Sequence, residues 1–196
     1  REALRTLDNM GILECKQGSG NYLHGTLGRG FSDALSMHIL MDTVQQDEVL
    51  QMKCSLEASA FVGVVTHGME HSDLEEMARL LERMENAPAT AAEADEQFHR
   101  NLIRWDGNAM FACLAEAISD ALGDTMYCRV QGEKRKQLNV CHREILLALQ
   151  NRDIQLGMKA IGAHYQLIED ALCKGRELRY AENISWRTGG LPGYRG

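Results

Sequence analysis

Four polar side chains in this chain of 196 residues stand where apolar stripes place a helical core. Asp95 and His99 are four residues apart and so share one helix face, with Leu102 three further on. His142 lies in the series Leu138, His142, Ile145, Leu149, and His164 in the series Ile161, His164, Ile168, Ala171. Both series step by three or four, the spacing of a buried helix face. A lone histidine on such a stripe is ordinarily a hydrogen-bonded core residue. Three histidines and one aspartate each carry a desolvation cost, and a divalent cation satisfies all four together. The imidazoles would bind neutral and the carboxylate ionised, their usual states at neutral pH. Three nitrogens and one oxygen suit Zn, Ni, Fe or Mn better than Ca or Mg. A closed structural zinc site would more often use thiolates. Four protein ligands leave room in a five- or six-coordinate shell for a water or a ligand carboxylate. At this point both a metal centre and a bundle with neutral buried histidines remain open.

No other constellation competes. HExxH, GxSxG, the P-loop and the dinucleotide fingerprint are all absent from the sequence. Gly18-Ser19-Gly20 lacks the following Lys and helix of a phosphate loop. No catalytic residue is therefore assigned. Glu57, Glu116 and Asp120 read either as surface groups or as partners that orient the histidines.

The elements that must position these residues are almost all helical. Ala3, Leu4, Leu7 and Met10 recur at helical spacing, and Gly11 is a natural stop. Ile12 to Lys16 reads as a short strand, Gln17 to Gly20 as a turn, and Asn21 to Leu23 as a returning strand. After a glycine-rich stretch at 25–32, helices are expected from Phe31 to Met41 and from Asp47 to Thr66. The second carries a stripe of Leu50, Cys54, Ala58, Phe61 and Val65. Ser72 with Glu75 resembles a capping box. Further helices are expected from about Ala91 to Trp105, through Phe111 to Tyr127, from Lys134 to Gln150, and from Ile154 to about Lys174. Asp153 is a plausible N-cap for the last. The expected fold is all-α, an antiparallel bundle of six to seven helices preceded by a small β-hairpin. Residues 1–24 form the first unit, 25–179 the helical domain, and 180–196 an irregular tail.

Composition narrows the class. Lys plus Arg number 21 against 28 Asp plus Glu, a formal charge of −7. Residues 1–24 are balanced, with Arg1, Arg5 and Lys16 against Glu2, Asp8 and Glu14, so the acidity lies in the helical part. That excludes a protein that wraps nucleic acid over its whole surface, but not a small local DNA contact. The six cysteines are scattered singly, with no CxxC pair, which favours a reducing cytoplasm over a disulfide framework. No run of 18 apolar residues occurs, so no membrane span is expected. The chain opens without Met inside a helical pattern and is expected to be a piece of a longer protein.

The opening REALRTLDNMGILECKQGSGNYL resembles the end of the winged helix-turn-helix of GntR-family bacterial transcription regulators. Arg1, Glu2, Ala3, Leu4, Arg5 and Leu7 match its recognition helix, and Gly11, Gly18, Ser19 and Gly20 match the wing. The remainder resembles the helical effector domain of the FadR-like subfamily, the FCD domain. Asp95-Glu96-Gln97-Phe98-His99 matches "D-x-x-F-H", His142-Arg143-Glu144-Ile145 matches "H-R-x-I", and His164-Tyr165 matches a closing "H-L". Lys53 and Glu57 echo "R-x-x-x-E", with Lys in place of Arg. Arg152 replaces the Gly of a "G-D" corner at Asp153. The resemblance spans about residues 1–175.

The resemblance implies that Asp95, His99, His142 and His164 bind one divalent metal, Zn first, with Ni or Mn as alternatives. It also implies a small carboxylate effector near that metal, a homodimer, and operator DNA as partner. One branch of the subfamily lacks the metal ligands and binds acyl-CoA; this sequence keeps all four. Lys53, Glu57, Arg100 and Arg143 are the expected effector-binding residues, with Arg104 a further positive candidate. Arg1, Arg5 and Gly18 are the expected DNA-binding residues, Gly18 allowing the wing a close approach. The expectation is a cytoplasmic, ligand-responsive regulator of the repressor type, and not an enzyme. The competing reading is a metal-dependent hydrolase or lyase on a helical bundle.

Overall fold

The computed structural model describes residues 2, 3, 5, 13–16, 20–23, 28–122 and 130–188. Strands β1 (Leu13–Lys16) and β2 (Gly20–Leu23) pair antiparallel, Leu13 opposite Leu23 and Lys16 opposite Gly20. Seven helices follow among the described residues: α1 (Gly28–Leu40), α2 (Gln46–His67), α3 (His71–Asn86), α4 (Ala91–Trp105), α5 (Ala109–Leu122), α6 (Glu133–Asn151) and α7 (Ile154–Thr188). This is the all-α bundle that the stripes predict.

The corners follow local chemistry. Gln45 and Glu48 form the box that opens α2, and the Gln45 N–H donates to Glu48 Oε2 at 2.8 Å. Gly68, at φ 89°, closes the helix in a region other residues avoid. The box that opens α3 is Glu70 with Asp73, two residues earlier than the expected Ser72 with Glu75. Met69 and Gly68 leave the chain extended at Glu70 (ψ 153°), so helical geometry starts at His71 and places Ser72 inside the first turn. Asn108 Oδ1 accepts from the N–H groups of Met110 and Phe111 and starts α5. Arg152 takes a left-handed conformation (φ 53°) where the family corner has Gly, and Asp153 Oδ1 caps α7 through Leu156 N–H at 3.0 Å.

Helix α5 is described as far as Leu122, and the expected continuation to Tyr127 lies outside the described residues. One expectation is corrected. The expected end of α7 near Lys174 and irregular tail from Tyr180 give way to helix through Thr188. Gly175 costs only about 1 kcal/mol against Ala, and no Pro intervenes before Pro192.

Helix α2 is central. It packs against α7, α4, α5 and α6, while α6 packs on α7, α3 on α4, and α1 on α5. Leu56, Glu57, Ala60, Phe61, Val64 and Val65 are all buried, so α2 hides one broad face of about half its circumference, with Glu57 inside it. By length and composition alone α2 is apolar enough to cross a membrane. Its surroundings identify it as the bundle's core helix, with a fully buried Glu57 and a mostly buried Lys53. The main core joins Phe61, Met77, Phe98, Leu102, Leu138, Ile145 and Ile161. A smaller cluster of Val49, Leu56, Ile118 and Leu122, covered by Leu35 and Ile39, holds α1 against α5. Of the cysteines, Cys141 is buried and Cys54 and Cys113 are half-buried, all as free thiols.

The contact between α7 and α2 is fitted at Gly157. A Cβ there would fall 2.0 Å from Phe61 Cζ, inside a fully buried ring. Gly157→Ala is expected to destabilise by about 1–3 kcal/mol through overpacking, read as a lowered midpoint in urea. Combining it with Phe61→Leu should recover part of that loss. An unchanged midpoint for Gly157→Ala would contradict this fit.

Candidate metal centre

Each ligand position comes from a helix-period stripe. Helix α4 carries Asp95 and His99 on one face; α6 brings His142 and α7 brings His164. Four donor atoms, one from each residue, lie within 4.8 Å of one another, and the three histidines are buried. His99 Nε2 is 3.1 Å from His142 Nε2, and Asp95 Oδ1 is 3.1 Å from His142 Nε2 and 3.8 Å from His99 Nε2. Ligands about 2.0–2.2 Å from one ion are roughly 3–3.5 Å from each other at octahedral or tetrahedral angles, so these separations suit a shared cation. The Phe98 ring packs edge-on against His142 at 5.1 Å and walls the cluster on the core side.

The unsatisfied atoms point the same way. Asp95 Oδ1, His142 Nδ1 and both ring nitrogens of His164 are buried with no hydrogen-bond partner. Each buried orphan costs about 1–3 kcal/mol. The donor set therefore fits a divalent transition ion, held by Asp95, His99, His142 and His164.

Behind His99 lies a second layer. Glu57 of α2 is fully buried; its Oε2 is 2.7 Å from His99 Nδ1, and its Oε1 accepts from the Tyr165 hydroxyl at 2.5 Å. This contact fixes the His99 ring and leaves Nε2 facing the cluster. Burial alone would raise the Glu57 and Asp95 carboxyls, but neighbouring histidines outweigh it and hold both below the usual range. Burial alone would likewise lower His99; Glu57 and Asp95 outweigh it and raise the imidazole to about 10. Burial holds His142 and His164 low and neutral. Burial, then Glu57, pushes the Tyr165 phenol well up.

A cavity of about 280 Å³ opens between α2, α4 and α5 and meets the cluster at His99. Lys53, Arg100 and Arg104 line it together with Glu96 and Glu116. Three of the residues expected for an effector are thus brought together, counting Arg104. Glu57 sits behind His99 rather than on the cavity wall. Arg143 points away: its side chain is half-exposed and pairs with Glu85. Asp120 is exposed, whereas Glu116 is a half-buried wall residue. Of the expected DNA contacts, Arg5 is exposed, and Arg1 and Gly18 lie outside the described residues.

Comparison with known proteins decides the family. The FCD domain family matches residues 48–167, more than half of the chain. The chain belongs to the FCD domain family. The HTH-type transcriptional regulator LutR of Bacillus subtilis is 32% identical over 132 residues, covering 64% of this chain and 58% of LutR. The chain thus spans less than two thirds of that relative's length. The uncharacterised HTH-type transcriptional regulator YcbG of the same organism is 24% identical over 183 residues, covering 90% of this chain and 74% of YcbG. Among solved structures, Streptococcus agalactiae GntR superposes with a TM-score of 0.58 at 22% identity, covering 85% of this FCD chain and 78% of that one. The helical domain has the fold of GntR-family regulators. LutR and YcbG are named as transcriptional regulators.

Sequence reasoning singles out all four residues of the Asp/His cluster but gives no role to Tyr165 or Glu96. Tyr165 enters it only as part of a closing motif. Glu96 had a signal, since it lies four residues before Arg100.

The raised His99 has a measurable consequence. Below about pH 10 the ion-free protein carries a proton on His99 that an incoming ion must displace. His142 and His164 are already neutral. Apparent metal affinity should therefore climb by about tenfold per pH unit from roughly pH 6 to 8. Competition titration against a chelator of known pH dependence reads this slope. A flat profile would show that binding displaces no proton.

Proposed function

We propose that this chain is the sensing part of a GntR-type transcription regulator. Its helical domain holds one divalent transition ion, Zn first, and a small organic acid in the adjoining cavity. The acid modulates operator binding by the segment that includes the β1–β2 hairpin. The observation that carries this reading is the buried Asp95, His99, His142 and His164 cluster beside a cation-lined cavity in an FCD domain.

The residues divide the work. Asp95 and the three histidines hold the ion, which supplies a positive centre for a carboxylate oxygen. Glu57 and Tyr165 keep His99 oriented. Lys53, Arg100 and Arg104 make the cavity net positive and attract the acid, while Ile103, Ala112 and Ala115 exclude water around its carbon skeleton. A Lys at position 53 offers a point charge rather than a bidentate fork. Homodimerisation would set two winged units on a two-fold symmetric operator in the cytoplasm. Arg1, Arg5 and Gly18 are the DNA-facing residues under this reading. The names of LutR and YcbG as HTH-type regulators support it.

Elemental analysis of protein purified without added metal should find about one transition ion per chain. His142→Ala should weaken the ion by roughly a hundredfold or more, because about 10–16 kcal/mol of zinc binding is shared among four ligands. It should also reduce the rise in melting temperature that added ion gives. Stoichiometry near zero after reloading with Zn, Ni and Mn would remove the metal centre.

For the effector, calorimetry of the metal-loaded protein with a panel of two- to six-carbon acids should find a binder, and that acid should alter operator binding by the intact regulator. Metal-stripped protein should bind it more weakly. Equal binding with and without the ion would deny the metal its role as anchor. Binding of a neutral ligand or acyl-CoA in place of any acid would overturn the acid assignment.

A further inference from the structure

Glu96 is the acid that the effector reading leaves without a task. It sits on α4, next to Asp95 in sequence and about 100° away around the helix, so it faces the cavity where Asp95 faces the cluster. Its Oε1 lies 3.2 Å from Arg100 Nη2, and its Oε2 lies 4.0 Å from Lys53 Nζ. The first contact, between residues four apart, is an ordinary helix-surface pair. The second is different. Lys53 comes from α2, its side chain is only 14% exposed, and Glu96 meets it across the cavity at 26% exposure.

We propose that Glu96 is an internal carboxylate that occupies the cavity's Lys53–Arg100 pair and so restricts the cavity to acids with a single carboxylate. This inference rests on the acid-effector reading above.

Charge balance carries the argument. The cavity wall holds three cations, Lys53, Arg100 and Arg104, against two carboxylates, Glu96 and Glu116, which leaves one net positive charge. At the cluster, a divalent ion is matched by Asp95 and Glu57 once His99 is neutral. The whole compartment therefore balances one negative charge. A monocarboxylate places its carboxylate at the His99 end and its carbon skeleton against Ile103, Ala112 and Ala115. The second carboxylate of a diacid would need Lys53 and Arg100, and Glu96 already holds them. Displacing Glu96 would leave two like charges beside each other in a small, partly apolar space, which penalises the diacid. The cavity, at about 280 Å³, is sized for a small acid.

Glu96→Gln keeps the shape and removes the charge at a partly exposed position, and its melting temperature verifies the fold. The probes are 2-hydroxybutyrate and malate, which share a four-carbon skeleton and differ by one carboxylate. Both are titrated calorimetrically into the metal-loaded full chain. The unaltered protein should bind 2-hydroxybutyrate more tightly by about tenfold or more. In Glu96→Gln both acids should gain, malate by about tenfold more than 2-hydroxybutyrate. Glu116→Gln removes the same charge from the α5 wall while leaving the Glu96 contacts in place, and should move the ratio less. A malate preference in the unaltered protein, an unmoved ratio in Glu96→Gln, or an equal shift in Glu116→Gln would each overturn the role of Glu96 while leaving acid binding intact. Failure of both acids, with the wider acid panel also silent, would overturn the acid-effector reading and this inference with it.

Discussion

Two ionised carboxylates buried in one helical core set the terms for this structure. Asp95 and Glu57 lie on different helices, and both are held ionised by their surroundings. Such charges survive burial only if positive charge and hydrogen bonds reach them. Here compensation comes from every helix around the site: His99 on α4, His142 on α6, Tyr165 on α7 and Lys53 on α2. Removing the compensation from any one helix strands a charge in the core. The polar cluster thereby ties together the same helices that the apolar core packs. An ion at the centre would replace a proton on His99 as the compensating charge, so loading and helix packing are one equilibrium.

The apolar core supports this arrangement locally. Phe98 and His99 are successive residues on α4, so one points into the core and the other into the cluster. The Phe98 ring lies edge-on to both His99 and His142, with centroids 5.7 and 5.1 Å away. Gly157 lets the Phe61 ring pass close to α7, which sets how near His164 and Tyr165 come to α2. Shape at these two phenylalanines and charge at Asp95 and Glu57 therefore constrain the same helix spacings.

What could be read from the sequence follows from where each apolar stripe is centred. On α4 the spacing of Asp95, His99 and Leu102 gives the right orientation for all three. The stripes through His142 and His164 do the same for α6 and α7. On α2 the stripe of Leu50, Cys54, Ala58, Phe61 and Val65 is centred about a quarter-turn around the helix from the face that is buried, that of Val49, Leu56, Glu57, Ala60, Phe61 and Val64. Glu57, four residues before Phe61 and near the middle of the true face, therefore falls at the edge of the expected one. The Tyr165 hydroxyl was hidden for a related reason: its partner is 108 residues away, and no local spacing encodes that pair. Arg143 erred in the opposite sense. It follows His142 directly, so a face that buries the histidine turns the arginine toward solvent and Glu85.

The geometry also indicates how a ligand would be felt away from the site. Asp95 and His99 on α4 face the cluster, while Glu96, Arg100, Ile103 and Arg104 on the same helix face the cavity. A ligand that rearranges the Glu96 contacts therefore acts on the helix that carries half of the Asp/His cluster. The opposite cavity wall is α5, through Ala112, Ala115, Glu116 and Ser119. Helix α5 packs on α1, and α1 follows the β1–β2 hairpin directly in sequence. The α1–α5 contact belongs to a small cluster separate from the main core, to which α2 also contributes Val49 and Leu56. A wall that rests on a small, separate cluster can shift with less loss of packing than one embedded in the main core. A shift of α5 on occupancy of the cavity would therefore reach α1 and the first turns of α2 through this cluster, while the main core that holds α6 and α7 is spared.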